Sequence, residues 1–208
     1  MSTQNSFYDR FFGKGGWKYD RATEREFMRR FVIPLGGWQK GQRVVEVGAG
    51  QCVHADILRE LGFNVTAVEA SSSGVENAKT QFPKLDVVEA DVSTWSPSAP
   101  VDHVFVRGMS FYHYELTKNR HGVDVAAQTK RMFGWIRRRG TFVLQIVTDF
   151  SGRRPLKGVH MNRLSDYLGL FEPLGKVVGV TDWNGTPLNG RARPSRTDRG
   201  ILIATEKL

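Results

Sequence analysis

The chain has 208 residues and a mass of 23.5 kDa, the size of one ordinary domain. Its mean hydropathy is −0.37, and it lacks an apolar run of about 18 residues, so we expect no membrane span. The single cysteine, Cys52, excludes an internal disulfide, and residues 1–16 lack the apolar stretch of a signal peptide. We therefore expect a cytoplasmic protein without a membrane partner.

The net charge of +9 is unevenly distributed along the chain. Residues 1–43 carry a net charge of +5, residues 44–110 carry −5, and residues 111–208 carry +9. Basic flanks around an acidic centre fit the steering of an anionic substrate or a nucleic acid toward a cleft. They fit ordinary solvated helix surfaces equally well, since a run such as residues 137–139 is favourable at a helix C-terminus.

The first half of the chain alternates between predicted helices and strands. Residues 1–40 are predicted as an N-terminal lid and helical segment, with a helix over 21–33 that Pro34, Gly36 and Gly37 stop, and residues 41–208 as the main domain. Apolar runs and turn residues then predict a strand at 43–47, a helix at 52–61, a strand at 64–69, a helix from Ser71 to about 81, and strands at 85–89 and 101–107.

The second half continues the alternation until its last two strands. The pattern predicts a helix at 123–138, a strand at 140–147, a helix at 161–171, and strands at 174–181 and 200–205. Because no helix separates the last two strands, that pair is most simply antiparallel. The predicted fold is α/β, with a doubly wound, mostly parallel seven-stranded sheet and an antiparallel last strand.

Residues 44–70 read as a strand, a glycine turn, a helix, a second strand and an acid. Glu46 closes the first strand, Gly48 and Gly50 form the turn, and Glu69 closes the second strand. Glycines let the backbone approach a ligand closely, and a carboxylate about 20 residues on accepts hydrogen bonds from both hydroxyls of a ribose. The segment therefore predicts a ribonucleoside site at the carboxyl ends of the strands.

Four motifs in order resemble those of the class I S-adenosylmethionine-dependent methyltransferases, over about residues 40–206. They are EVGAGQC at 46–52, AVEAS at 67–71, EADV at 89–92 and VRGMS at 106–110. The family often has glycine where this chain has Cys52. The resemblance implies the Rossmann-like methyltransferase fold and S-adenosyl-L-methionine as cofactor.

The resemblance also assigns roles at the adenosine end of that cofactor. Glu69 would bind the ribose hydroxyls, and Ala70 would lie against the adenine face. Asp91 would accept from the adenine amino group, while the Val92 amide would meet a ring nitrogen.

At the methionine end, the resemblance implies that backbone at Gly48 and Arg107 would hold the ammonium. Glu46 would sit beneath the site and orient the turn that contains Gly50. The N-terminal aromatic segment would close over the cofactor, and it offers candidates for the methionine portion in Tyr8, Trp17, Tyr19 and Arg25.

Residues after the fourth strand are candidates for the acceptor side. His113 lies where loops frame the methyl-transfer cleft in the family, and a histidine can take a proton from an attacking nucleophile. A histidine that is hydrogen-bonded within an aromatic loop is the equal alternative. Substrate-binding candidates are Tyr112, Tyr114, Arg191 and Arg193, of which the arginines could clamp an anionic group or be solvated.

The predicted function is methyl transfer to a small-molecule oxygen or nitrogen acceptor. The alternatives are an RNA or protein methyltransferase that uses the basic flanks, and a non-catalytic nucleoside- or RNA-binding module. A nicotinamide-dependent oxidoreductase is disfavoured, because Val53 stands where its fingerprint needs glycine or alanine. The histidines and Cys52 show no metal-ligand spacing, so we predict no metal, and Cys52 is predicted to be a packed residue.

Overall fold

The computed structural model describes residues 3–118, 122–154, 159–188 and 200–208. Seven strands form one sheet in the order β3-β2-β1-β4-β5-β7-β6. They are β1 (Arg43–Val47), β2 (Asn64–Glu69), β3 (Asp86–Glu89), β4 (Val101–Arg107), β5 (Ile136–Ile146), β6 (Lys176–Asp182) and β7 (Ile201–Glu206).

Strands β1 to β5 run parallel, and β7 pairs antiparallel with both β5 and β6. The predicted doubly wound, mostly parallel sheet with an antiparallel last strand is confirmed. The carboxyl ends of β1, β2, β3 and β4 meet at one edge of the sheet, which is where ligands bind in open α/β sheets.

Helices cover both faces of the sheet. They are α1 (Thr3–Gly13), α2 (Arg21–Phe27), a π-helical turn (Met28–Val32), α3 (Ile33–Gly36), α4 (Val53–Glu60), α5 (Ser72–Gln81), a 3₁₀ turn (Ser110–His113), α6 (Val125–Gly134) and α7 (Leu164–Phe171). One core contains Val32, Phe105 and Val143, and the other contains Phe133, Phe142 and Phe171. None of the helices in the described ranges has the length and apolar content to cross a bilayer.

The predicted stop of this helix is confirmed at Gly36 and Gly37 but is wrong at Pro34. Pro34 lies in the first turn of α3, directly after the π-helical turn, and the helical path ends at Gly37 with φ of 65°. Proline has no N–H to donate to the preceding turn, and a π-helical turn relieves that mismatch without breaking the helix.

The prediction of a helix over 123–138 is also wrong at its C-terminal end. Helix α6 ends at Gly134, and the chain enters β5 at Ile136, which pairs with Val101 and is buried. The residues at 137–139 therefore lie on an extended segment, where the Arg137 guanidinium pairs with the Asp102 carboxylate. Burial of Ile136 in the sheet outweighs the helical preference of the flanking arginines.

Candidate active site

The glycine turn between β1 and α4 repeats one unusual backbone conformation at every second residue. The φ angles are 64° at Gly48, 56° at Gly50 and 57° at Cys52. The amides of Gly48 and Ala49 both donate to the Val68 carbonyl, at 2.9 and 3.1 Å, which ties the turn to β2. A left-handed conformation is costly for a residue with a Cβ, so Cys52 sits in a position suited to glycine.

Cys52 is fully buried at the N-cap of α4. Burial raises the pKa of its thiol, and the nearby carboxylates of Glu46 and Glu69 raise it further. The thiol therefore stays protonated near neutral pH, which fits the predicted packing role and gives it no nucleophilic character.

Glu69 closes β2 with its carboxylate turned onto the glycine turn. Its Oε2 accepts from the Gly50 amide at 2.6 Å, and its Oε1 accepts from the Ser71 amide at 2.9 Å. Burial raises the pKa of this carboxyl, while the backbone hydrogen bonds oppose the shift. A carboxylate offers about four acceptor positions, so two remain for further donors.

Asp91 lies beside Glu69, just after β3. The Ala90 amide donates to the Glu69 carbonyl at 2.9 Å, which brings the two strand ends together. The Asp91 side chain is exposed, and its Oδ1 accepts from the Ser93 amide at 2.8 Å. Ala70 and Val92 flank the two acids in the chain, and Val92 is buried.

Glu46 is a buried acid with an unused oxygen. It is 2% exposed, its Oε1 lies 3.8 Å from His54 Nδ1, and its Oε2 has no hydrogen-bond partner among the described residues. Burial raises the pKa of Glu46 to about 8, although the Arg107 guanidinium opposes the shift. A buried acceptor without a donor is rare and indicates a place for a cationic or donor group.

Arg107, at the end of β4, organises an ionised cluster that the sequence did not predict. Its guanidinium donates to Glu24 of α2, with Nη2 at 3.1 Å from Oε1, and also contacts His54 Nε2. It lies over the Tyr19 ring at 5.4 Å.

The contacts of this cluster set the protonation states of Glu24 and His54. Burial opposes ionisation of Glu24, but hydrogen bonds from His54 and Arg107 outweigh the effect of burial and lower the pKa of Glu24 to about 2. Burial lowers the pKa of His54 to about 4, so the imidazole is neutral near pH 7.

Helix α1 lies across the tips of β2 and β4. The Tyr8 hydroxyl is 2.6 Å from Ser110 Oγ, and Asp9 Oδ1 accepts from Ser71 Oγ at 2.7 Å. Asn77 of α5 donates to the Phe12 carbonyl at 3.0 Å. The helix therefore spans the edge of the sheet where the three acids lie. The division of the chain at residue 40 remains a prediction.

The space beside each turn glycine is filled by protein. A Cβ on Gly48 would lie 3.2 Å from Met109 Cγ, and one on Gly50 would lie 3.0 Å from the Phe12 ring. The sequence predicted that these glycines make room for a ligand. The described packing shows that they also make room for Met109 and for the α1 lid.

On the acceptor side, His113 ends the 3₁₀ turn that follows β4. Its carbonyl accepts from the His160 amide at 2.7 Å, while its ring Nε2 is buried without a partner among the described residues. Burial lowers the pKa of His113 to about 4, which leaves a neutral imidazole with a lone pair free at pH 7. The described hydrogen bonds do not use the ring nitrogen Nε2, so the geometry leaves it free for a proton-accepting role.

The other acceptor-side candidates are placed differently. Tyr112 is fully buried and its hydroxyl lies 2.9 Å from Thr129 Oγ1, which is a packing position. Tyr114 is half-buried beside it, and Asn162 Nδ2 donates to its carbonyl at 2.7 Å. Arg191 and Arg193 lie outside the described residues. Substrate binding by all four remains a prediction.

In the described ranges, no three His, Cys, Asp or Glu side chains converge on a point that could hold a metal ion.

The chain is similar to known methyltransferases in sequence and in fold. A family model described as a methyltransferase domain matches residues 44–132. Trans-aconitate 2-methyltransferase from Escherichia coli is 28% identical over 132 residues, which are 56% of this chain and 51% of that protein. The chain therefore spans about half the length of this curated relative.

Two solved structures show the same fold over nearly the whole chain. N-methyltransferase NodS from Bradyrhizobium japonicum, in complex with S-adenosyl-L-homocysteine, is 12% identical with a TM-score of 0.72 and 99% coverage of both chains. An S-adenosylmethionine-dependent methyltransferase from Clostridium acetobutylicum is 11% identical with a TM-score of 0.69, again with 99% coverage of both. Residues 44–132 therefore match a methyltransferase domain, and the chain has the fold of these S-adenosylmethionine-dependent methyltransferases.

The residues of this methyltransferase fold fit S-adenosylmethionine. Glu69 retains acceptor positions for two ribose hydroxyls, and Asp91 has an exposed carboxylate for an amino group. The unused Oε2 of Glu46 suits the cationic ammonium of the methionine end, whose charge would favour ionisation of this buried acid. Tyr19, proposed from the sequence for that end, lies against Arg107, whereas Arg25 pairs with Glu60 and Trp17 is exposed.

Proposed function

We propose that this chain transfers a methyl group from S-adenosylmethionine to an oxygen or nitrogen of a small molecule. The observation that carries the proposal is the position of Asp91, Glu69 and Glu46 at the tips of three neighbouring strands, β3, β2 and β1. Together these carboxylates match the amino, hydroxyl and ammonium groups of one adenosyl-methionine skeleton.

The protein's own part in the reaction is mainly alignment. Bound S-adenosylmethionine supplies a methyl group on a sulfonium, which is already an activated leaving group. Glu69 and Asp91 fix the nucleoside, and Glu46 fixes the amino-acid end. Helix α1, held by Tyr8 and Asp9, covers the site and excludes water.

His113 is the group that we assign to proton removal. Its Nε2 is buried, unpaired among the described residues and neutral near pH 7, so it can accept the proton that an acceptor hydroxyl or ammonium loses. Its low pKa makes it a weak base. It therefore suits an acceptor that loses its proton as the new bond forms, and an acceptor that is already a neutral amine would not need it.

The small-molecule acceptor is supported by the lid and by the relatives. Helix α1 crosses the edge of the sheet and leaves the site bounded on that side, which favours a compact acceptor. The curated relative is named as a methyltransferase of trans-aconitate, a small molecule, and NodS is named as an N-methyltransferase, and both names are compatible with the proposed acceptor. An RNA or protein acceptor is the second choice, and a non-catalytic module is the third.

The test is transfer of labelled methyl from S-adenosylmethionine to panels of small carboxylates, amines and phenols, and to total RNA. The proposal predicts turnover on a small molecule.

His113→Asn is expected to lower kcat by about 10²-fold or more with an unchanged Kd for S-adenosylhomocysteine. His160→Asn is the matched control, because the hydrogen bond from His160 to His113 comes from its backbone amide, which the substitution keeps, and its kcat is expected to stay near wild type. Transfer to RNA alone would overturn the small-molecule acceptor. Cofactor binding without turnover on any panel would favour the non-catalytic module. Wild-type kcat in His113→Asn would contradict the assignment of His113 as the base.

A further inference from the structure

The outer face of α1 and the turn after it carry an exposed aromatic cluster. Phe7 is 55% exposed and Trp17 is 60% exposed, and these are the only large aromatic side chains so exposed in the described ranges. Phe11 joins them, with its ring centroid 6.3 Å from that of Phe7 and 4.9 Å from that of Trp17. Exposed rings that touch one another form a surface for a partner more often than scattered single rings do.

These rings are held in place by contacts on the opposite side of the segment. The Trp17 amide donates to Gln51 Oε1 at 2.7 Å, and Gln51 Nε2 donates to the Gly15 carbonyl at 3.0 Å. Phe12, on the inner face of α1, is buried against Gly50. The aromatic cluster is therefore presented by an anchored segment.

The same segment, residues 7–18, is cationic. Arg10, Lys14 and Lys18 are exposed, and none of them has an ion-pair partner among the described residues. Helix α1 has no acid in its first turn, and its one acid, Asp9, is turned inward onto Ser71. We call this surface the aromatic–basic face, and its members are Phe7, Arg10, Phe11, Lys14, Trp17 and Lys18.

We propose that the aromatic–basic face binds single-stranded nucleic acid. Bases stack on exposed rings, and phosphates pair with cations that are not already in an ion pair. The net charge of +9 adds a long-range attraction for a polyanion. This proposal does not rest on the proposed function, since the face lies on the outside of the lid.

Two other partners fit the face less well. A membrane-bound helix needs a broad apolar face to insert, but the inner face of α1 is committed to the protein through Phe12 and Tyr8. A second copy of the chain would have to bring Arg10, Lys14 and Lys18 against their own counterparts in a symmetric contact, which is repulsive. A polyanion with planar groups satisfies both the charges and the rings.

The experiment is fluorescence anisotropy with a labelled oligothymidylate of about 12 nucleotides, with the full chain at about 50 mM and about 200 mM salt. Trp17→Ala and Phe7→Ala are each expected to raise Kd by about 5- to 100-fold, because each removes a stacking platform. Val178→Ala is the matched control, since Val178 is an exposed apolar residue on β6, far along the sheet, and it should bind as wild type does.

The contribution of the cations is measured by the salt dependence of Kd, whereas that of the rings is measured by Kd itself. Lys14→Gln combined with Lys18→Gln should lower the slope of log Kd against log salt concentration by about 1 to 2, and Lys176→Gln on β6 should leave it unchanged. Circular dichroism confirms that each variant is folded, and S-adenosylhomocysteine affinity reports the cofactor site separately. Failure of the wild type to bind at about 50 mM salt overturns the proposal. Wild-type affinity for the oligonucleotide in Trp17→Ala would also overturn it. Binding only to vesicles of anionic lipid, or a dimer in sedimentation that Trp17→Ala dissociates, would overturn it as well.

Discussion

The ring of Phe12 in α1 lies against the α-carbon of Gly50, and a Cβ added to Gly50 would stand 3.0 Å from Phe12 Cζ. The same ring would meet a Cβ on Gly74 at 3.2 Å. Phe12 is 4% exposed, so the lid is anchored by one aromatic side chain in a socket that two glycines leave open. The glycine turn thus serves the docking of α1 as well as the approach to a cofactor.

Gly50→Ala is expected to lower the free energy of unfolding by about 2 kcal/mol or more. The left-handed backbone accounts for about 1–2 kcal/mol, and displacement of Phe12 adds to it. Thermal and urea unfolding measure the loss. Gly134→Ala, in α6, is the control, because its Cβ would meet open space and alanine favours a helix; its stability should be unchanged or higher. Equal stabilities of the two variants would show that Gly50 is not constrained in this way.

Cys52→Gly is expected to be more stable than Cys52→Ala by about 1 kcal/mol, because alanine keeps the left-handed strain at φ of 57° and glycine does not. Both variants lose the packing of the thiol, and glycine also loses the buried Cβ and gains unfolded-chain entropy, so a more stable glycine variant would report the relief of left-handed strain against both of these costs. Urea unfolding of the pair gives the value. A more stable alanine variant would mean that the conformation at residue 52 is not the one described.

Arg107→Gln is expected to lower the free energy of unfolding by about 2–4 kcal/mol, since it leaves the Glu24 carboxylate mostly buried without its counter-charge. Arg25→Gln removes the guanidinium from the exposed pair with Glu60 and should cost less than about 1 kcal/mol. The two variants lose the same functional group at sites of different burial. A similar loss in both, measured by urea unfolding, would contradict the assignment of Arg107 to a buried cluster.

The contribution of His103 to the free energy of unfolding should fall as the pH drops from about 6.5 toward 4. Burial lowers the pKa of His103 from 6.5 to about 4 in the folded chain, so protons bind the unfolded chain more tightly within that window. Its ring is held by Gln42 and Thr141, at 2.8 and 2.9 Å. His103→Gln should be less stable at pH 7 but should show a shallower slope below pH 6.5. A slope as steep as that of the wild type would place the acid sensitivity elsewhere.

The sequence was sufficient for features whose parts lie close together in the chain. The glycine turn, Glu46 and Glu69 fall within one strand–helix–strand unit, and periodicity and glycine spacing locate them. The antiparallel end of the sheet followed from the missing helix between the last two strands. Strand bounds in the first half agree with the prediction to within a residue.

Features that depend on contacts between distant residues were out of reach. Arg107 and Glu24 are separated by 83 positions, and no local pattern marks them as partners. Tyr112 stood in an aromatic run typical of a binding loop, but tertiary packing buries its ring and pairs its hydroxyl with Thr129. The arginines at 137–139 carried a helix-like signal that sheet pairing at Ile136 overrides.

Calorimetric titration of Glu69→Ala with S-adenosylhomocysteine tests the central claim most directly. The account predicts a Kd raised by about 10²-fold or more, because two hydrogen bonds to a charged group are lost. Glu89→Ala, at the paired position on β3, removes an exposed carboxylate that accepts from Ser72 and should bind as the wild type does. A folded Glu69→Ala protein with wild-type affinity, or an equal loss in both variants, would contradict the assignment of the nucleoside site to the tip of β2.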